Sequence, residues 1–161
     1  MDLGLIKNKR QNKFMSKPLH VLIVDDNKDS IQYLQNTIQS RGHHVDVVTE
    51  PVRCVTLCQN IQYDILFIDY HMPNLDGDDI IKIVKSNGTQ SKVFVITGDK
   101  SKDCIDAFKD IDIDGIVFKP ISIDTVHLLI NYLENRNTID KKNAMKLQRL
   151  TRGELYFPFL T

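Results

Sequence analysis

The sequence predicts an α/β protein: a doubly wound, five-stranded parallel sheet covered by five helices in (βα)5 order. Three observations carry this. Five short apolar runs, at 19–24, 45–48, 65–68, 93–96 and 116–118, are separated by longer stretches with apolar residues at helical spacing. Most of the runs are near-continuously apolar and rich in β-branched residues, which suits strands buried on both faces. Strands and helices alternate strictly, the pattern of a parallel sheet with helices on both sides.

Each unit has its own signals. After LHVLIV (19–24), the stretch 28–41 places Ile31, Leu34 and Ile38 on one face, with Asp26 or Asn27 as N-cap and Arg41-Gly42 as a stop. After VDVV (45–48), Pro51 starts a helix running to about residue 60, since a first-turn proline lacks only an amide that has no helical partner. After ILFI (65–68), Ile80, Ile83 and Val84 mark a helix over 77–87 that Gly88 ends. After VFVI (93–96), Ser101 caps a helix over 101–110 with Ile105 and Phe108 inward. After IVF (116–118), Val126, Leu129, Ile130 and Leu133 form the apolar stripe of 122–135.

Composition bounds the rest. With 161 residues and 42% hydrophobic, the chain suits one domain plus tails. No apolar stretch approaches the length of about 18 residues needed to span a bilayer, and the charged start lacks a signal core. A cytoplasmic location and no membrane partner are expected. Cys54, Cys58 and Cys104 make neither a disulfide framework nor a zinc pattern, and read as small buried thiols. The zero net charge hides a split: residues 19–136 hold 11 basic and 18 acidic residues, while 1–18 and 137–161 are net basic. The expected organisation is a basic flexible leader (1–18), the folded domain (19–136), and a basic tail or start of a linker or truncated output region (137–161).

The chemistry collects at the strand ends, where doubly wound folds bind ligands. The first strand ends in Asp25-Asp26, the third in Asp69, the fourth in Thr97, and the fifth runs into Lys119-Pro120. Clustered carboxylates raise one another's pKa unless a cation joins them. Hard oxygen ligands suit Mg2+. A lysine can neutralise an incoming phosphoryl group, a threonine hydroxyl can hydrogen-bond it, and a carboxylate can act as the nucleophile.

These residues carry a family resemblance. VLIVDDN (21–27), DYHMPNLDG (69–77), VFVITGD (93–99) and VFKPI (117–121) resemble the receiver domain of two-component response regulators, the flavodoxin-like domain that includes the chemotaxis regulator. The likeness covers about 19–136. It implies that Asp69 is the phosphoacceptor, and that Asp26 and Asp69 ligate Mg2+ directly with Asp25 acting mainly through metal-bound water. It implies the backbone carbonyl of His71 as a further ligand, Thr97 as the phosphoryl's hydrogen-bond partner and Lys119 as its ion-pair partner. Pro120 would fix the adjoining loop, and Met72, Pro73 and Gly77 would shape the loop after the acceptor. Receivers often carry an aromatic residue three positions before the lysine; Ile116 stands there. His71 and Asp99 occupy positions that flank the phosphoryl group in the family; the His71 side chain is expected to face solvent, and His127 to be an interface or surface residue.

The resemblance implies no enzyme in the usual sense, because such a domain catalyses only its own phosphorylation and dephosphorylation. Its partners would be a sensor histidine kinase or phosphotransfer protein, and a homodimer or other partner through the 101–135 face. Nucleic acid enters only if an output domain follows. The end 147–161 loosely resembles the opening of a LuxR-type helix-turn-helix, although Pro158 would interrupt that helix. Its apolar cluster Leu155, Tyr156, Phe157, Phe159 and Leu160 is expected to dock on a surface or a partner. Two further alternatives are a degenerate scaffold, against which the intact five-residue set speaks, and an FMN carrier or hydrolase. The latter lacks its phosphate loop and any Gly-x-Ser-x-Gly.

Overall fold

In the computed structural model, the apolar run after the leader forms β1 (His20–Val24). There follow α1 (Lys28–Gln39), β2 (His44–Val48), α2 (Pro51–Asn60), β3 (Ile65–Asp69), α3 (Gly77–Ser86), β4 (Lys92–Thr97), α4 (Lys102–Ala107), β5 (Gly115–Phe118) and α5 (Ile123–Asn135). The structure describes residues 17–135 and 139–160; the leader except 17–18, and residues 136–138 and 161, lie outside the described residues.

β3 and β5 are buried along their whole length, and β1 and β4 at all but their first residue, as continuous apolarity demands. β2 lies at the sheet edge and exposes His44 and Val47. Asn27 caps α1, its side-chain oxygen accepting from the amides of Asp29 and Ser30 at 3.0 Å. Ser101 caps α4 through the Cys104 amide. α4 stops at Ala107, short of the expected residue 110. Phe108 turns into the core there, and the following Asp110-Ile111-Asp112 is a poor helix continuation.

Among the described residues the strand order is β2-β1-β3-β4-β5-β6, a six-stranded sheet whose sixth strand is antiparallel. β6 (Leu155–Tyr156) comes from the C-terminal segment, preceded by α6 (Lys141–Leu150) and followed by a 3-10 turn (Pro158–Leu160). The described part of the tail is therefore packed onto the sheet. Residues 147–160 form the end of a helix, a strand and a short turn, not the opening helix of a DNA-binding module.

Two apolar layers sandwich the sheet. One joins Val21, Ile23, Phe67 and Ile96 to α1, α5 and α6. The other joins Leu22, Leu66, Ile68 and Val95 to α2, α3 and α4. Helices change faces between β1 and β3, and the strand ends meet there. Cys54, Cys58 and Cys104 are free thiols, two of them buried.

Candidate functional site

Asp25 directly follows β1, Asp69 ends β3, Thr97 ends β4, and Lys119 directly follows β5. Parallel pairing puts these ends side by side: Tyr70 donates its amide to the Ile96 carbonyl, and Lys119 donates its own to the Thr97 carbonyl. Asp25, Asp26 and Asp69 each bring a carboxylate oxygen within 4.8 Å of the others. Lys119 Nζ bridges two of them, at 2.9 Å from Asp69 Oδ1 and 3.0 Å from Asp25 Oδ2. The other Asp25 oxygen accepts from the Asn27 amide at 2.8 Å. Asp26 is exposed, while Asp25 and Asp69 are 2% and 6% exposed, so one carboxylate faces solvent and two face Lys119.

Electrostatics follow from this packing. Burial pushes the Asp69 carboxyl above its ordinary pKa, and the charges of Asp25 and Asp26 push the same way, outweighing Lys119. For Lys119 burial acts downward, but its hydrogen bonds to Asp69 and Asp25 prevail and its pKa rises. The two shifts are compatible: one ammonium is shared by Asp25 and Asp69, so it has two partners, while Asp69 has half a cation and the charge of Asp26 nearby. Such a cluster can hold a hard divalent cation, which supplies the missing positive charge.

The surroundings shape the site. Thr97 is 1% exposed, and its hydroxyl oxygen accepts from the Asp99 amide at 3.0 Å. Asp99 in turn accepts from the Ser101 amide, which holds its carboxyl below the usual range. In the loop after Asp69, Met72 is buried, Pro73 is exposed, and Asn74 takes a positive φ of 71°. Gly77 is required by close approach: a Cβ there would stand 2.7 Å from the Asp69 carbonyl oxygen. His71 is exposed, its ring 4.6 Å from that of Tyr70, and His127 on α5 is half-buried. The Lys119-Pro120 bond is cis. A cleft of about 520 Å3 opens beside Asp25 and Lys119, walled by Tyr33 and Leu34 of α1 and by Pro120.

Ile116 is fully buried on β5, opposite Tyr156 of β6. Tyr156 is half-buried, its ring 6.4 Å from that of Phe118. An aromatic side chain thus lies beside Ile116, supplied by the C-terminal segment. Glu154, which sequence reasoning passed over, also reaches the loop after Lys119. Its one signal was the apolar run that follows it.

Strand order and strand-end cluster together define a flavodoxin-like receiver. The chain belongs to the response regulator receiver domain family, which matches residues 21–131. It is 30% identical over 123 residues to the transcription factor SKN7 of Saccharomyces cerevisiae, covering 76% of this chain and 20% of that protein. It is 30% identical over 137 residues to the response regulator SaeR of Staphylococcus aureus, covering 84% of this chain and 58% of that one. The chain thus spans from about a fifth to just over half of these relatives' length. Among solved structures, the receiver domain of the Francisella response regulator 1452 matches with a TM-score of 0.67 and 27% identity, over 74% of this chain and 99% of that one. No helix among the described residues is long and apolar enough to cross a membrane.

Proposed function

We propose that this chain is the phosphoacceptor of a two-component or phosphorelay system, phosphorylated on Asp69 and switching a protein–protein or dimer interface. The observation that carries this is the Lys119 ammonium bridging Asp69 and Asp25 beside a third carboxylate. An Asp69 oxygen attacks the phosphorus of a phosphohistidine, the phosphorus–nitrogen bond breaks, and the imidazole leaves. Lys119, already against Asp69, transfers its ion pair to the new phosphoryl oxygens. Thr97 offers its hydroxyl from the end of β4, turning from the Asp99 amide. Mg2+, held by Asp26, Asp69 and the His71 carbonyl, with Asp25 through water, would neutralise the carboxylates and the phosphoryl charge. The cleft between α1 and Pro120 gives a sensor histidine kinase or phosphotransfer protein access beside Asp25.

The output is a rearrangement rooted at Thr97 and Lys119, read on the 101–135 face by a partner or a second copy. This makes the chain a cytoplasmic signalling module and not an enzyme acting on a separate substrate. A second reading, the receiver part of a longer DNA-binding regulator, is favoured by the length of SKN7 and SaeR relative to this chain. Labelling with acetyl phosphate and Mg2+, read by intact mass, tests the acceptor. Wild type gains one phosphoryl group and Asp69→Asn gains none; a labelled Asp69→Asn chain overturns the assignment.

A further inference from the structure

The C-terminal segment lies outside the family match, yet it grips the loop that carries Lys119. The Phe118 amide donates to the Glu154 carbonyl at 2.8 Å. The Ser122 amide and hydroxyl lie 3.1 and 2.9 Å from Glu154 Oε2. One residue of the tail thus anchors both sides of Lys119-Pro120-Ile121. From the opposite side, the Lys119 amide is held by Thr97. Glu154 is itself fixed. Leu155 and Tyr156 pair with Val117 and Ile116, and Phe157 is fully buried against Gly115. The turn from α6 is closed by hydrogen bonds that the Gly153 and Glu154 amides donate to the Gln148 and Thr151 carbonyls. The charge of Lys100 acts on the Glu154 carboxylate, and Lys100 lies 5.7 Å above the Phe118 ring.

We infer that Glu154 is a positioning residue for Lys119, so that β6 pairing and phosphoryl binding at Asp69 strengthen each other. The inference rests on the phosphoacceptor reading. The physical reason is pre-organisation: with Phe118 and Ser122 pinned, Lys119 does not have to be ordered when the phosphoryl group arrives. Linkage makes the effect reciprocal, so a ligand at Asp69 must tighten the Glu154 anchors by the same factor.

The test uses the full chain with beryllofluoride and Mg2+, a mimic of the phosphoryl group. Affinity is read by fluorine NMR titration, and exchange of the Phe118 and Ser122 amides by proton NMR. Glu154→Ala should weaken beryllofluoride binding about five- to tenfold, a coupling at the lower end of the usual range. Glu154→Gln, which keeps an oxygen acceptor, should recover most of it. In wild type, beryllofluoride should slow exchange at Phe118 and Ser122 by a similar factor. The exchange measurement needs no variant, so a Glu154→Ala chain that fails to fold does not decide the matter. Unchanged exchange in a wild-type chain that does bind beryllofluoride overturns the inference. So does equal affinity of a folded Glu154→Ala chain. A wild-type chain that takes up neither beryllofluoride nor acetyl phosphate overturns the phosphoacceptor reading itself.

Discussion

Without a bound cation, Asp69 should destabilise the fold, and Asp69→Asn should stabilise it. The carboxylate oxygens of Asp25, Asp26 and Asp69 lie within 4.8 Å of one another. Two unit charges at that separation repel by about 0.9 kcal/mol in water and about 3.5 kcal/mol at an effective dielectric of 20. Asp69 faces two such neighbours and pays for burial, against one favourable pair with an ammonium it shares with Asp25. The net sign is given by its carboxyl, whose pKa lies above the ordinary value in the folded chain. The proton is then held more tightly folded than unfolded. Stability contributed by protonation is present at pH below the unfolded value and is lost as pH rises through the folded one. Above that window the ionised group costs stability in full. Removing its charge should add about 1 kcal/mol at neutral pH, or about 4 °C in Tm for a domain of this size. Thermal melts in EDTA between pH 3 and about 8 check this, the lower bound lying just below the ordinary carboxylate pKa. The difference between variant and wild type should shrink as pH falls, and shrink again when Mg2+ is added at neutral pH, because the ion stabilises the wild type by mass action. An Asp69→Asn chain less stable than wild type in EDTA at neutral pH refutes the reasoning.

Lys119→Met strips the shared cation from two buried carboxylates and should cost about 3 kcal/mol in urea unfolding at neutral pH, less in acid; an unchanged midpoint would count against the bridge. Gly77→Ala drives a Cβ against the Asp69 and Tyr70 backbone and should cost about 2 to 3 kcal/mol. Gly88→Ala has open space and only its φ of +80° to strain, so about 1 kcal/mol is expected; a reversed order in urea would refute the distinction. Phe157→Ala empties a fully buried site facing Gly115 and Phe94, and should cost about 3 kcal/mol in the same assay while raising amide exchange across β6.

The five (βα) units are legible in the sequence because their signals are local. β1, β3, β4 and β5 are buried, so apolarity alone marks them, and Asn27, Pro51 and Ser101 sit at the helix starts where the caps are found. The strand-end carboxylates are legible for the same reason, once parallel order is assumed. That Lys119 touches Asp25 as well as Asp69 depends on side-chain reach across β1 and β5, and spacing in the chain does not encode that. Gly77 reads as a turn residue, yet its φ is not positive; what forbids a side chain is the Asp69 carbonyl above it, a tertiary fact. β6 is the hardest element. Two residues hold no period, and Leu155, Tyr156 and Phe157 show only that something apolar must be covered.

What β6 covers bears on the 101–135 face. In a five-stranded sheet of this order β5 would be the open edge, a row of unpaired amides and carbonyls available to another strand. Here the Phe118 amide and the Ile116–Val117 pairing are taken by the chain's own residues 154–156. A second copy therefore cannot add its β5 to this one without first displacing Leu155 and Phe157, both fully buried. Fully burying side chains of this size contributes about 1.5 to 3 kcal/mol each, so that exchange starts at a deficit that a marginal dimer does not recover. The 101–135 segment comprises α4, β5 and α5, and β6 lies along β5 within it, with Tyr156 half-buried against the core layer that holds Phe118. Tyr156 lies beside Phe118, which precedes Lys119, so under the proposed function the surface a partner would touch and the residue that would hold the phosphoryl group are neighbours in one packed layer.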